Sequence, residues 1–118
     1  LVWYEHEGGR WADHPLLDVV NGHSLDIVDF DGDGNLDIFC AEMRLGGGNP
    51  GAKIRLLLGD GKGSFAVRIV AEGFGNHESK IADLDGNGTL DILGKPYDWE
   101  APRLDVWLNL PAPPDRKD

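Results

Sequence analysis

The sequence predicts an all-β fold assembled from β-propeller blades, each a four-stranded antiparallel sheet. Three observations predict it: a block that recurs along the chain, an acidic nine-residue loop in each copy, and short alternating apolar segments that end at glycine-rich turns. The recurrence appears when 54 is added to the residue numbers. His23 then falls on His77, Asp29, Asp31 and Asp37 on Asp83, Asp85 and Asp91, Gly32 and Gly34 on Gly86 and Gly88, and Ile38 on Ile92. The same offset runs backwards, taking Val2 to Leu56, Trp11 to Phe65 and Leu16 to Val70. Beyond Met43 and Tyr97 it falls to 50, which aligns Leu56-Leu57-Leu58 with Val106-Trp107-Leu108. The second copy therefore has the shorter connection, and the glycine-rich stretch from Arg44 to Lys53 reads as a variable loop. A unit of about 50 residues with four short strands is the size of a propeller blade.

Alternation and turn residues place the strands. Val2 to His6 and Leu16 to Val20 read as the third and fourth strands of an earlier blade, so residues 1–22 form its back half. Residues 23–76 form one complete blade. Its strands are Ser24 to Val28, with Leu25 and Ile27 on one face, then Leu36 to Ala41, Ile54 to Leu58 and Phe65 to Ala71. The run Gly59-Asp60-Gly61-Lys62-Gly63 turns the chain between the last two. Residues 77–110 form a partial blade with strands Glu78 to Ala82, Leu90 to Leu93 and Leu104 to Leu108. Residues 111–118 are a proline-rich tail, which cannot continue a central strand because proline lacks the donor N–H. A ring typically needs about 4–8 blades. The remaining blades are expected from a longer parent chain or from other copies.

Composition narrows the function classes. The chain of 118 residues is 41% hydrophobic, enough to build a core. It has 21 acidic against 11 basic residues, a net charge of −10, which argues against a nucleic-acid partner, since that needs a basic face. No apolar run nears the roughly 18 residues of a membrane span. One cysteine, Cys40, excludes an internal disulfide, and its apolar neighbours Ile38, Phe39 and Ala41 mark it as a buried, inert thiol.

The acids concentrate where they oppose one another. Asp29-Phe30-Asp31-Gly32-Asp33-Gly34-Asn35-Leu36-Asp37 reads D-x-D-x-D-G-x-x-D. Ca²⁺ takes about 6–8 oxygens. A tight loop supplies them from side chains at positions 1, 3 and 5, a backbone carbonyl at 7 and a carboxylate at 9, with glycine at 6 permitting the turn. The first ligand set is thus Asp29, Asp31, Asp33, the carbonyl of Asn35, and Asp37. The second is Asp83, Asp85, Asn87, the carbonyl of Thr89, and Asp91. Two Ca²⁺ would add four charges and bring −10 to −6. Asn87 offers an oxygen without charge, so the second loop is expected to bind more weakly. An EF-hand would need Glu at position 12, where this chain has Cys40 and Gly94, and would be flanked by helices rather than strands.

With two such loops in one period, the chain resembles the FG-GAP/VCBS repeat family, the calcium-binding propeller blades also found in integrin α-subunits. The resemblance implies Ca²⁺ between the first two strands of a blade and a secreted or cell-surface setting. Gly73-Phe74-Gly75 is the nearest trace of the sequence elements that name the family.

Beyond the loops, His23 and His77 both precede a first strand, which is innermost in a blade and so borders the central channel. Near the second lie Lys80, Lys95, Tyr97 and Trp99. Lys80 and Lys95 would meet at one rim if the first two strands of that blade pair, with Tyr97 or Trp99 stacking on a sugar ring. Trp3 and Trp107 occupy equivalent third-strand sites and read as core. The leading expectation is a non-catalytic, calcium-stabilised module binding carbohydrate or a protein surface, in a larger extracellular protein. One alternative is part of a sugar-acting lyase or dehydratase, with His77 as base and Lys80 or Lys95 neutralising a carboxylate. Another is a purely structural spacer. No serine-histidine-aspartate, phosphate-loop or zinc pattern is present.

Overall fold

The computed structural model describes residues 1–44, 48–96 and 103–111. Among the described residues, nine strands form three antiparallel sheets. The first holds β1 (Val2–Glu7) and β2 (Arg10–Pro15). The second, in order, holds β3 (Gly22–Val28), β4 (Asp37–Glu42), β5 (Lys53–Gly59) and β6 (Phe65–Glu72). The third holds β7 (Glu78–Ala82), β8 (Asp91–Lys95) and β9 (Asp105–Trp107). Every strand pairs with its chain neighbour, the up-and-down order of a propeller blade. The described residues contain no helix, so none is long and apolar enough to cross a membrane.

The apolar pattern explains the layering. β4 is buried along its whole length and β5 nearly so, as expected of central strands covered on both faces. On one face Phe39, Ala41, Ile54 and Leu56 meet Ile92 of the third sheet, with Ile81 and Trp107 packed alongside. Trp107 is thus a packing residue, as its strand position suggests. On the other face Ile38, Cys40 and Leu57 are covered by Leu1, Leu16, Leu17, Val19 and Phe65. Burial pushes the Cys40 thiol pKa up, with the Arg55 charge opposing it.

The structure corrects the first sheet. Leu16 to Val20 is not a strand; Arg10–Pro15 is, paired with β1 from Glu7↔Arg10 to Val2↔Pro15. The cause is the Gly8-Gly9 turn, whose φ angles of 58° and 79° suit a tight two-residue hairpin. The return strand therefore begins at once, and Leu16, Leu17 and Val19 become cover for the second sheet. Several boundaries also move by one or two residues, and β9 is shorter than the expected Leu104 to Leu108. The second strands begin at Asp37 and Asp91, so each loop's last acidic residue is already a strand residue.

Leu25 and Ile27 share a face, paired with Cys40 and Ile38, yet they are 60% and 55% exposed. Leu104, Val106 and Leu108 on and beside β9 are exposed as well. The ends of the sheet stack thus present apolar residues to solvent.

One buried ion pair closes the second sheet at the end away from the acidic loop. The Glu42 carboxylate accepts from Arg55 Nη1 at 3.0 Å, the Val20 N–H at 3.0 Å and the Lys53 N–H at 2.9 Å. Burial alone would raise its pKa. The Val20 and Lys53 N–H groups and the Arg55 guanidinium outweigh that and hold it below the usual value.

Candidate metal centres in the acidic loops

Each acidic loop joins the first two strands of its sheet, β3 to β4 and β7 to β8. In the first, Asp29, Asp31 and Asp37 bring one carboxylate oxygen each within 4.8 Å of the others; in the second, Asp83, Asp85 and Asp91 do the same. Glycines set this geometry. Gly32 and Gly34 have φ of 76° and 91°, and Gly86 and Gly88 have 77° and 88°, in the left-handed region where other residues are strained. The freed backbone N–H groups turn inward. Asp29 accepts from Gly32 N–H at 2.8 Å and Gly34 N–H at 3.0 Å; Asp83 accepts from Gly86 at 2.7 Å and Gly88 at 3.0 Å.

The fifth position behaves differently. Asp33 stands outside the group of three, its carboxylate accepting from Asn35 N–H at 2.8 Å and Asn35 Nδ2 at 3.0 Å. Asn87 likewise accepts from Thr89 N–H at 2.7 Å and Thr89 Oγ1 at 2.6 Å.

The ninth position carries a second duty that residue spacing does not reveal. Asp37 is 1% exposed. One of its oxygens accepts from Phe30 N–H in the loop and the other from Gly59 N–H at the end of β5, both at 2.8 Å. Asp91 repeats this, accepting from Leu84 N–H at 2.8 Å and from Asn109 N–H beyond β9 at 2.7 Å. Those two N–H groups, Asn109 first, hold the Asp91 carboxyl below the usual carboxylate range. Each ninth carboxylate thus ties its loop to the third strand. A small group of hard oxygens held in this way could hold a divalent cation.

A family model for the FG-GAP-like repeat matches residues 29–94, more than half of the chain and spanning both acidic loops. The chain belongs to the FG-GAP-like repeat family. Comparison with curated proteins and with solved structures gives no match. Membership and three antiparallel sheets make this FG-GAP-like chain a β-propeller repeat module, with neighbouring blades as its natural partners.

The other sequence-predicted residues separate. His23 and His77 come together, rings stacked with centroids 4.2 Å apart, bridging β3 and β7. His23 Nδ1 bonds to the His77 carbonyl, which Ser24 Oγ also approaches at 3.3 Å. His77 N–H donates to the Lys95 carbonyl at 2.8 Å. Glu78 pairs with Lys95 and Lys80 with Leu93, so both lysines lie on one face of the third sheet, exposed. Lys95 Nζ donates to the Pro96 carbonyl at 2.7 Å. Tyr97 and Trp99 lie outside the described residues.

Proposed function

We propose that this FG-GAP-like chain is a calcium-binding propeller module holding one Ca²⁺ in each acidic loop. The ligands are Asp29, Asp31, Asp33, the Asn35 carbonyl and Asp37 in the first, and Asp83, Asp85, Asn87, the Thr89 carbonyl and Asp91 in the second. The observation that carries this is the repetition of one apparatus: the same three carboxylates within 4.8 Å, the same glycine donors and the same ninth-position bonds, twice. Three carboxylates that close repel one another, and a divalent ion turns repulsion into attraction. On binding, Asp33 leaves Asn35 to join the ion. Calcium then fixes the loop between the first two strands of each blade and stabilises the folded state by mass action. The setting is extracellular, where free calcium is high enough for weak sites of about 10⁻⁴–10⁻³ M. The exposed apolar faces at Leu25 and Ile27 and at Leu104 and Val106 receive further blades, from the parent chain or other copies, and the assembled scaffold displays a carbohydrate- or protein-binding surface.

Calorimetric titration of metal-free protein with Ca²⁺ tests the central claim. Two binding events are expected, one lost in Asp29→Asn and the other in Asp83→Asn. Absence of calcium heat in a chain that is folded by circular dichroism would reject it.

A further inference from the structure

Beside the first acidic loop, the β1–β2 hairpin and the β5–β6 turn enclose a cleft of about 680 Å³, within the range of small-ligand sites. Its lining includes Trp3, Glu5, Asn35, Lys62, Ser64 and Phe65. Two glycines of the turn shape it. A Cβ on Gly63 would lie 2.8 Å from Trp3 Cζ2, and one on Gly61 would collide with the Asn35 side chain. Trp3 is further fixed by stacking on His14, with centroids 4.0 Å apart, and His14 Nε2 lies 3.2 Å from the Glu5 carboxylate.

From this geometry we infer that the cleft binds a neutral monosaccharide, and that calcium in the first loop strengthens the binding. Glu5 can only accept hydrogen bonds, Lys62 can only donate, and Ser64 does both. The lining carries one acidic and one basic side chain, and the neighbouring acidic loop repels an anion. A ligand satisfying all three must both donate and accept at several points while uncharged, as sugar hydroxyls do. Phe65, Trp3 and the exposed Leu36 offer apolar surface to the C–H side of a sugar ring. The link to calcium rests on the loop reading above. Asn35 forms part of the wall, and its amide is held by the Asp33 carboxylate at 3.0 Å. An ion that recruits Asp33 releases that amide to the cleft. The second loop lacks such an opening, because the Asn87 Nδ2 amide donates to the Asn109 carbonyl at 3.2 Å, closing that side of the loop.

The test is ¹H–¹⁵N NMR of the whole chain titrated with glucose, galactose, mannose or N-acetylglucosamine, in saturating calcium and again with chelator. Saturable shifts at the Lys62 and Ser64 amides and the Trp3 indole are expected for at least one sugar. The dissociation constant should be on the order of 1 mM with calcium and several-fold weaker without it. Lys62→Ala keeps the backbone N–H that Asp60 accepts, so the turn survives, and affinity should fall about tenfold, the loss of one charged hydrogen bond. No shift with any of these sugars overturns the site. Equal affinity with and without calcium, in protein shown calorimetrically to load the first loop, overturns the coupling. Failure of the calcium reading itself would appear separately, as no metal heat at all.

Discussion

Asp37→Asn separates the two duties of the ninth position. In metal-free protein the substitution places an amide NH₂ against one of two backbone donors, Phe30 N–H or Gly59 N–H, each now 2.8 Å from a carboxylate oxygen. Losing a charged acceptor in a buried position costs about 1.5–3 kcal/mol. The same change removes a charge from a group whose oxygens lie within 4.8 Å. At water-like dielectric each such repulsion is worth about 0.9 kcal/mol, and Asp37 takes part in two. Relief and loss nearly offset, so the metal-free stability should change by no more than about 1.2 kcal/mol. With calcium the compensation disappears. The repulsion is already neutralised by the ion, so its removal gives nothing back, and a ligand is lost. At free calcium about a hundredfold above the dissociation constant, binding contributes about 2.7 kcal/mol to the parent, which the variant forfeits. Urea unfolding followed by tryptophan fluorescence, in chelator and in calcium, measures both values. The penalty should be at least about 2 kcal/mol larger in calcium. Equal penalties in the two conditions would show that Asp37 is a structural tie alone and refute its place in a metal site.

Other outcomes follow from the same contacts. In the calcium titration the first loop should bind more tightly than the second, because Asn87 replaces the charge of Asp33; Asn87→Asp should narrow the gap, and equal or reversed parent affinities would count against it. Gly94→Ala places a Cβ 2.7 Å from Asn76 Oδ1 and should cost about 1–3 kcal/mol in chemical denaturation. The double variant Gly94→Ala, Asn76→Ala should recover part of that, since the Asn76 amide is buried without a hydrogen-bond partner. Stability should fall in acid through Glu42. Its folded-state pKa lies below the ordinary 4.5, so its contribution is complete above that value and is lost as pH drops through the lower folded one. Glu42→Gln should flatten that part of a pH–stability curve. Cys40 should resist a thiol reagent in native protein and react at once in urea, since burial raises its pKa and blocks access.

Much of the architecture is legible in the sequence, for a physical reason. Strand alternation and glycine turns are local, and the repeat doubles every local signal. The loops were the most legible feature, because a hard cation dictates oxygen donors at fixed short spacing. The misplaced strand came from a local signal left unused: Gly8-Gly9 between alternating segments is a hairpin turn, and it sets β2 six residues earlier than the apolar run at Leu16 suggested. What sequence could not supply was long-range pairing. Gly59 lies 22 residues from Asp37, and nothing in the spacing predicts that its N–H meets that carboxylate. The Glu42 clasp is another long-range feature, since its partners Val20, Lys53 and Arg55 come from other segments. The His23–His77 stack shows how a repeat offset becomes a contact: identical positions in successive sheets stand side by side.

The pair of hydrogen bonds that Asp37 accepts from Phe30 and Gly59 bears on how such modules age. A copy that stops holding an ion can trade residues at the third and fifth places most easily, and at the first where its two loop N–H donors can turn to solvent instead. At the ninth a change that removes both acceptor oxygens is the hardest to absorb, since two main-chain donors would lose their acceptor inside the protein. In worn copies of this unit the last aspartate should therefore outlive the rest of the signature, so that a lone survivor marks ancestry and architecture rather than a working ion site.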